Sequence, residues 1–278
     1  MAVCYRHPGR ETSVGCSNCG RPICPDCMTS TPVGMRCPDC ARQRTKVHRA
    51  PAGFAGAGQS PMTYALIGMN VAVFVLAVAT GAGLFEGGGT IYRDFALFGP
   101  AVADGEPYRI LTSGFLHYGL IHLGLNMFAL YFLGGLLEPA VGRWRFLGIY
   151  LVSLLGGSLG AMALEPEALT AGASGAVFGM MGAAFIVARD RGRDDVAQQI
   201  GLIVVLNLVF TFSVPGISIG GHLGGLLAGV LCALLVGALV RSRQARAVEI
   251  GVFVALGVIA AVATVALAPD TASLFGPR

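Results

Sequence analysis

The sequence predicts an all-α membrane protein with several transmembrane helices, preceded by a small metal-binding segment. Of its 278 residues, 54% are hydrophobic and only 12% are charged, whereas about 25% of the residues in an ordinary soluble domain are charged. The mean hydropathy is +0.69. Seven of the eight cysteines lie before residue 41, ahead of the apolar stretches. These observations exclude an ordinary soluble globular domain.

The N-terminal segment, predicted as residues 1–42, contains four pairs of metal-ligand residues with two residues between the partners. Each pair can present two ligands to a tetrahedral Zn²⁺, so eight ligands are enough for two closed structural sites. The segment resembles a B-box-like zinc finger, which implies an interleaved arrangement. One site would consist of Cys4, His7, Cys24 and Cys27, and the other of Cys16, Cys19, Cys37 and Cys40. A disulfide framework is the alternative, but the basic run after Cys40 indicates a cytosolic segment, where thiols stay reduced.

A segment of this size has too small a core to fold unaided, so zinc would supply its folding free energy. We expect a docking or regulatory module with a cytosolic protein partner, because all eight ligand positions are filled and catalysis is therefore not expected. Nucleic-acid binding is not favoured, since no aromatic platform accompanies the arginines of the segment. Residues 43–61, rich in Gly, Ala and Pro, are predicted to form a flexible basic linker.

A membrane domain is predicted over residues 62–268, because apolar stretches of roughly 20 residues are needed to cross a ~30 Å hydrocarbon core. The predicted transmembrane helices are 62–82, 115–137, 145–163, 173–188, 197–213, 219–240 and 248–268. Basic residues mark every second connection, which places the N-terminus in the cytoplasm and the short tail 269–278 outside. Lys46 is the single lysine among many arginines, and this composition suggests a bacterial plasma membrane.

Polar residues occur near one end of three predicted helices. His122 and Asn126 are four residues apart and so share a helix face. Ser174 begins the fourth apolar stretch, and His222 begins the sixth. Ionisable residues in membrane helices are costly and mark functional sites by default. We therefore expect these four side chains to meet at a similar depth near the outer surface.

Close approach of the fourth and sixth helices is predicted by glycines at four-residue spacing. Gly175 and Gly179 form such a face on one helix, and Gly221, Gly225 and Gly229 form one on the other. With the backbones that close, Ser174 and His222 can form a nucleophile and base pair. The backbone N–H of Ser174 and the side chains of His122 and Asn126 would stabilise the oxyanion. No acidic third member is expected, because the carboxylates of the outer side lie in loops.

In this order, His122-x-x-x-Asn126, Gly172-x-Ser174-Gly175 and Gly221-His222 resemble the motifs of the rhomboid intramembrane serine proteases. The resemblance covers roughly residues 60–240. It implies a six-helix core with one extra C-terminal helix, a water-filled cavity open to the outside, and an active site without metal. It also implies supporting roles for Gly172, Gly175 and His117. One departure is Tyr108-Arg109, where family members often have Trp-Arg in the first outer loop, and it concerns the packing of that loop rather than catalysis.

The function expected from these residues is a serine endopeptidase that cleaves transmembrane segments of membrane protein substrates. The alternative from another class is a proteolytically inactive relative that binds transmembrane clients. Inactive relatives generally lose the Ser or the His, whereas this chain keeps Ser174 and His222. Taken alone, Ser174 would be read as an ordinary helix N-cap. The order and depth of the three motifs favour the catalytic interpretation.

Overall fold

The computed structural model describes residues 2–31, 34–42, 60–242 and 246–269. The chain divides into two compact units, Met1–Ala52 and Gly53–Arg278. Residues 43–59 of the predicted linker and residues 270–278 of the predicted tail lie outside the described residues.

The N-terminal unit consists of two short antiparallel hairpins and one helix. Strand β1 (Ala2–Val3) pairs with β2 (Glu11–Thr12), and β3 (Thr29–Thr31) pairs with β4 (Gly34–Arg36). A 3₁₀ turn at Pro25–Cys27 precedes the second hairpin, and α1 (Pro38–Arg42) follows it. The buried cluster of this unit consists of Ile23 and six cysteines: Cys4, Cys16, Cys24, Cys27, Cys37 and Cys40. A unit with so little apolar surface to bury needs a source of stability besides its hydrophobic core.

The second unit is helical. Its long helices are joined by short connections, except for a segment of three short helices between the first two. In chain order the helices are α2 (Pro61–Ala79), α3 (Gly89–Phe95), α4 (Gly99–Ala103), α5 (Arg109–Thr112), α6 (Gly119–Val141), α7 (Arg143–Leu164), α8 (Ser174–Asp190), α9 (Asp194–Ser213), α10 (Ile219–Arg241) and α11 (Arg246–Leu267).

Each of the seven predicted transmembrane stretches corresponds to one long helix. Six of them are long and apolar enough to cross a membrane by length and composition: α2, α6, α7, α9, α10 and α11. The seventh, α8, has 17 residues, which at 1.5 Å per residue is about 25 Å, shorter than a ~30 Å hydrocarbon core. The fold is therefore a polytopic, rhomboid-like membrane fold.

Helix α8 is the most enclosed helix of the bundle. Every residue from Gly175 to Ala184 is buried, whereas Arg189 and Asp190 at its other end are exposed. Charged residues belong at a membrane surface, so this end of the short helix lies there. It follows that the N-terminal end of α8, where Ser174 is located, stops short of the opposite surface.

Glycines allow α8 and α10 to touch along their backbones, as the small-residue spacing predicts. A β-carbon at Gly225 would overlap the carbonyl oxygen of Gly175, and one at Gly229 would overlap that of Gly179. On the other side of α8, a β-carbon at Gly179 would overlap the side chain of Ser153 in α7. Helices α7, α8 and α10 therefore form the centre of the bundle.

Replacing Gly229 by alanine is expected to destabilise the bundle, because the new methyl group meets backbone of α8 that cannot turn away. Overpacking of this kind costs about 1–3 kcal/mol, which exceeds the ~1 kcal/mol that alanine gains over glycine in a helix. Gly251→Ala in α11 is the matched control, since nothing lies within 4 Å of a β-carbon there. In mild detergent the free energy of unfolding should fall in Gly229→Ala and rise in Gly251→Ala. Equal stabilities of the two variants would contradict the packing.

Two buried carboxylates join helices at the end of the bundle opposite Ser174. Glu138 in α6 accepts hydrogen bonds from the backbone N–H groups of Met62 and Thr63, at 3.0 and 2.8 Å. Glu249 in α11 accepts hydrogen bonds from the guanidinium of Arg145 in α7, at 2.8 and 2.9 Å. The first contact fixes the start of α2, and the second holds the additional C-terminal helix against the bundle.

Candidate active site

Ser174 is the first residue of α8, and the loop before it is held in place by backbone contacts. The N–H of Gly172 donates to the carbonyl of Ser113 at 3.0 Å. The N–H of Ala173 donates to Nε2 of His117 at 3.4 Å, so the fully buried His117 supports this loop. As the first helical residue, Ser174 has a backbone N–H without an intrahelical acceptor. That N–H is free to bind an anionic oxygen beside the Ser174 hydroxyl.

Gly172 has a positive φ and lies against two side chains of the candidate site. Its φ is +144°, and a β-carbon there would lie 2.8 Å from Cε1 and 3.1 Å from Nε2 of His122. The same position is 3.5 Å from Oγ of Ser174. The imidazole of His122 and the hydroxyl of Ser174 thus border the same small space beside Gly172.

The hydrogen bonds of His122 indicate which ring nitrogen carries its proton. Its Nδ1 accepts from the backbone N–H of Tyr118 at 3.3 Å, so in the neutral ring the proton is on Nε2. Nε2 lies 3.1 Å from the position of a β-carbon at Gly172, and Oγ of Ser174 lies 3.5 Å from the same position. His122 therefore presents an N–H donor to this space, as oxyanion stabilisation needs.

Asn126 is less directly placed. It is buried, but its Nδ2 donates to the carbonyl of His122, one turn earlier in α6, at 2.9 Å. The amide keeps a second N–H, since the side chain has two donors. The predicted oxyanion role of Asn126 therefore rests on that second hydrogen.

His222 is in α10, and its ring lies against α8. The ring stacks on Phe178 with centroids 4.1 Å apart and an interplanar angle of 18°. Phe178 is four residues after Ser174, so both side chains lie on the same face of α8. The hydrogen bonds among the described residues join Nδ1 of His222 to Oγ1 of Thr211 at 2.7 Å and include none between His222 and Ser174.

The backbone contact between α8 and α10 keeps Ser174 and His222 near each other. A β-carbon at Gly175 would lie 3.2 Å from the carbonyl oxygen of Gly221, and these two glycines are the immediate neighbours of Ser174 and His222. Catalytic hydrogen bonds are often long before substrate binds and tighten in the complex. The backbones that carry Ser174 and His222 are therefore close together, although no hydrogen bond among the described residues joins the two side chains in this state.

The segment before α6 is anchored by Arg109, which is buried although it is charged. Its Nη1 donates to the carbonyls of Arg93 and Ala96, at 2.7 and 2.9 Å, and its Nε donates to Glu106 at 2.5 Å. The neighbouring Tyr108 donates its hydroxyl to the carbonyl of Asp94 at 3.2 Å. Desolvation, followed by the side-chain hydrogen bond with Glu106, raises the pKa of Tyr108. The loop is thus packed through Arg109, with tyrosine in the preceding position.

Two contacts near the site involve residues that the sequence analysis did not identify. Thr211 contacts His222 from α9, and Glu165 accepts hydrogen bonds from Oγ of Ser218 and N–H of Ile219, at 2.5 and 2.9 Å. Glu165 thereby fixes the start of α10, the helix that carries His222. No spacing rule connects residues on different helices, so the sequence held no direct signal for either contact.

The N-terminal unit brings together the two predicted sets of metal ligands. Within each set the four ligand atoms lie within 4.8 Å of one another. Nδ1 of His7 is 3.3 Å from Sγ of Cys24 and 3.5 Å from Sγ of Cys27, and Sγ of Cys19 is 3.8 Å from Sγ of Cys37. Tetrahedral Zn²⁺ with ordinary bond lengths places N and S ligands about 3.6 Å apart and two S ligands about 3.8 Å apart. The ligands therefore fit metal ions of this size in the interleaved arrangement.

One thiol of the second set is already favoured as the thiolate that a metal requires. The backbone N–H of Cys37 donates to Sγ of Cys16 at 3.3 Å. This hydrogen bond is the main reason why the pKa of Cys16 is lowered to about 6. A thiol that ionises easily is a ready metal ligand.

Gly172→Ala is expected to lower the activity of the site strongly while the bundle stays folded. The methyl group would displace the ring of His122, and alanine is strained at a φ of +144°, at a cost of about 1–3 kcal/mol. A displacement of 1 Å can reduce a catalytic rate by about 10²-fold. Gly124→Ala in α6, where nothing lies within 4 Å, is the control. Equal cleavage rates for both variants would show that this space is not part of the site.

Comparison with known proteins gives one domain match. Residues 104–239 match the Rhomboid domain, and this range contains Ser174, His222, His122 and Asn126.

The relatives found in the comparison include proteins named as rhomboid proteases. Rhomboid protease GluP of Bacillus subtilis (strain 168) is 35% identical over 173 residues, which cover 60% of this chain and 33% of the relative. Putative rhomboid protease YdcA of the same organism is 39% identical over 82 residues, covering 29% of this chain and 41% of the relative. RHOMBOID-like protein 2 of Arabidopsis thaliana is 43% identical over 79 residues, covering 28% and 25%.

The chain spans less than half the length of each of these relatives. The domain match lies within the membrane unit. Together with the helical membrane fold, the domain match and these relatives support the rhomboid family for this domain, a family of serine protease hydrolases.

Proposed function

We propose that this chain is an intramembrane serine endopeptidase that cleaves transmembrane segments of membrane proteins through Ser174 and His222. The observation that carries the proposal is the meeting of polar groups around Gly172 inside an otherwise apolar bundle. The Ser174 hydroxyl and an N–H donor of His122 border one space, and His222 of α10 stacks on Phe178, one turn after Ser174 on α8. Such groups are costly in a membrane domain unless they are used.

The reaction follows from these positions. Nε2 of His222 takes the proton of Ser174 Oγ while Oγ bonds to the carbonyl carbon of the substrate peptide. The backbone N–H of Ser174 and the Nε2–H of His122 bind the resulting oxyanion, and the second N–H of Asn126 supports them. The imidazolium then gives its proton to the departing amine, leaving an acyl group on Ser174. Water, deprotonated by His222, releases the acyl group as a carboxylic acid.

The depth of Ser174 determines which peptide bonds can react. Because α8 is shorter than the hydrocarbon core, Ser174 lies below one membrane surface. A substrate helix must unwind there before its carbonyl becomes accessible, since the helix hydrogen bonds protect the backbone. Substrates with Gly or Pro near that surface are cheaper to unwind. We expect cleavage near one end of the transmembrane segment.

The arginine distribution supports a topology in which Ser174 faces the outer side of a bacterial plasma membrane. The N-terminal unit is then cytoplasmic, and its two ligand sets would hold structural zinc. That this unit docks a cytosolic protein stays a prediction from the sequence. The inactive, client-binding alternative is not favoured, because the residues that carry the chemistry are present together.

The proposal is tested by reconstituting the purified full chain in lipid vesicles with a panel of fluorogenic transmembrane peptides. We expect cleavage products whose masses place the cut near one end of the apolar segment. A fluorophosphonate probe should label Ser174 and compete with cleavage. If a folded protein leaves the whole panel intact and the probe does not label Ser174, the protease assignment is wrong and client binding becomes the leading function.

A further inference from the structure

The orientation of His222 depends on a residue outside the three sequence motifs. We propose that Thr211, on α9, is a positioning residue that holds Nδ1 of His222 and leaves Nε2 free for Ser174. The inference rests on the proposed function, because it concerns the base of that same site. Thr211 is neither near Ser174 in the sequence nor on either helix of the proposed pair.

The contact between the two side chains is short and enclosed. Oγ1 of Thr211 is 2.7 Å from Nδ1 of His222, and the two residues are 2% and 8% exposed. The ring of His222 is also stacked on Phe178 at 4.1 Å. Stacking fixes the plane of an imidazole but does not distinguish its two nitrogens. The hydrogen bond to Thr211 determines which of the two nitrogens points towards α9.

The hydroxyl of Thr211 donates its proton to another group, and this determines whether it donates to or accepts from His222. Oγ1 of Thr211 donates to the carbonyl oxygen of Asn207, one turn earlier in α9, at 2.8 Å. A hydroxyl has one proton to donate and two lone pairs to accept with. Towards His222 it therefore accepts, and Nδ1 carries the hydrogen. In the neutral ring Nε2 is then unprotonated, which is the form that a base towards Ser174 requires.

A neutral hydroxyl thus takes the position in which many serine proteases place a carboxylate. Among the described residues, no carboxylate is hydrogen-bonded to His222. Glu165, a carboxylate near the start of α10, is occupied by Ser218 and Ile219. Thr211 can orient the ring and select its tautomer without adding a buried charge to the membrane domain. A buried unpaired charge would be far more costly than the hydroxyl.

Thr211→Val removes the hydroxyl while the side chain keeps nearly the same shape. We expect kcat to fall about tenfold, which corresponds to about 1.4 kcal/mol and lies within the range of a single hydrogen bond, with KM changed less than about twofold. Thr211→Ser keeps the hydroxyl and should restore most of kcat. Ser213→Ala is the matched control, because that hydroxyl bonds within its own helix to Val209. Unchanged kcat in Thr211→Val, or an equal loss in Thr211→Ser, would contradict the proposal.

A second measurement examines the tautomer without any substrate. In protein labelled with ¹⁵N-histidine and reconstituted in lipid, the signals of His222 are identified by their loss in His222→Ala. We expect Nδ1 protonated and Nε2 unprotonated in the wild type, and a mixture of tautomers in Thr211→Val. The opposite tautomer in the wild type would overturn the inference. If the tautomer is as expected but no peptide is cleaved, the proposed protease function fails and the Thr211 contact stands.

Discussion

Ser174→Ala is expected to abolish cleavage of transmembrane peptides, with a loss of about 10⁴-fold or more in kcat. The substitution removes one oxygen atom and leaves in place the close backbone contacts that Gly175 and Gly179 of α8 make with α10. Without the hydroxyl no acyl-enzyme can form, since that oxygen is the atom that bonds to the substrate carbonyl. The rate is measured in vesicles at saturating peptide, with the folded fraction determined for each variant.

His222→Ala should cause a similar loss, and the double variant should lose little more than either single one. The rate losses caused by replacing two residues that act in one proton transfer are not additive, because removing either residue stops the same step. Ser213→Ala is the control for serine replacement within the bundle. If Ser174→Ala retains measurable cleavage that a serine-directed probe does not block, a different nucleophile is at work. If the double variant shows the sum of two separate losses, the two residues do not act as a pair.

Hydrophobic pattern and length were enough to predict the helices of the membrane unit, because each long helix coincides with one apolar stretch. The start of α6 was placed too early, at residue 115 rather than Gly119. The chain there is apolar but turns sharply, and Gly119 has a φ of +83°. The short helices α3, α4 and α5 have no periodic pattern long enough to detect. Arg109 of α5 holds the end of α3 through the carbonyls of Arg93 and Ala96, a contact between separate segments that no local pattern predicts.

The positions of the candidate site residues could be predicted from the sequence more easily than their hydrogen bonds. Residue type, order and depth singled out Ser174, His222 and His122, and the structure places all three near the start of α8, while their catalytic roles stay predictions. The contact between Thr211 and His222 depends on the relative rotation of α9 and α10, which no property of either segment determines alone. The sequence also could not tell that Asn126 bonds back to His122. Side-chain chemistry is thus visible in the sequence, whereas the choice of partner is decided by helix packing.

The N-terminal unit should be held together by its metal ions. Its buried cluster consists of six cysteines with Ile23, and the apolar area of that cluster cannot offset the entropy of ordering the chain. Zinc binding contributes about 10–16 kcal/mol in small zinc-binding peptides. Removal of the metal is therefore expected to unfold this unit completely, while the membrane helices, which have their own buried core, remain folded.

The full chain should contain two zinc ions, measured by elemental analysis, since the structure forms two ligand sets. With metal bound, the seven cysteines before residue 41 should resist alkylation, and a strong chelator should make all seven reactive. Cys232, which is buried in the helical bundle, should stay unreactive in both states, and Cys232→Ser should keep both metal ions. Cys24→Ser should lose at least one. A metal-free protein whose mass shows oxidised cysteine pairs would support the disulfide alternative, because zinc binding requires free thiolates.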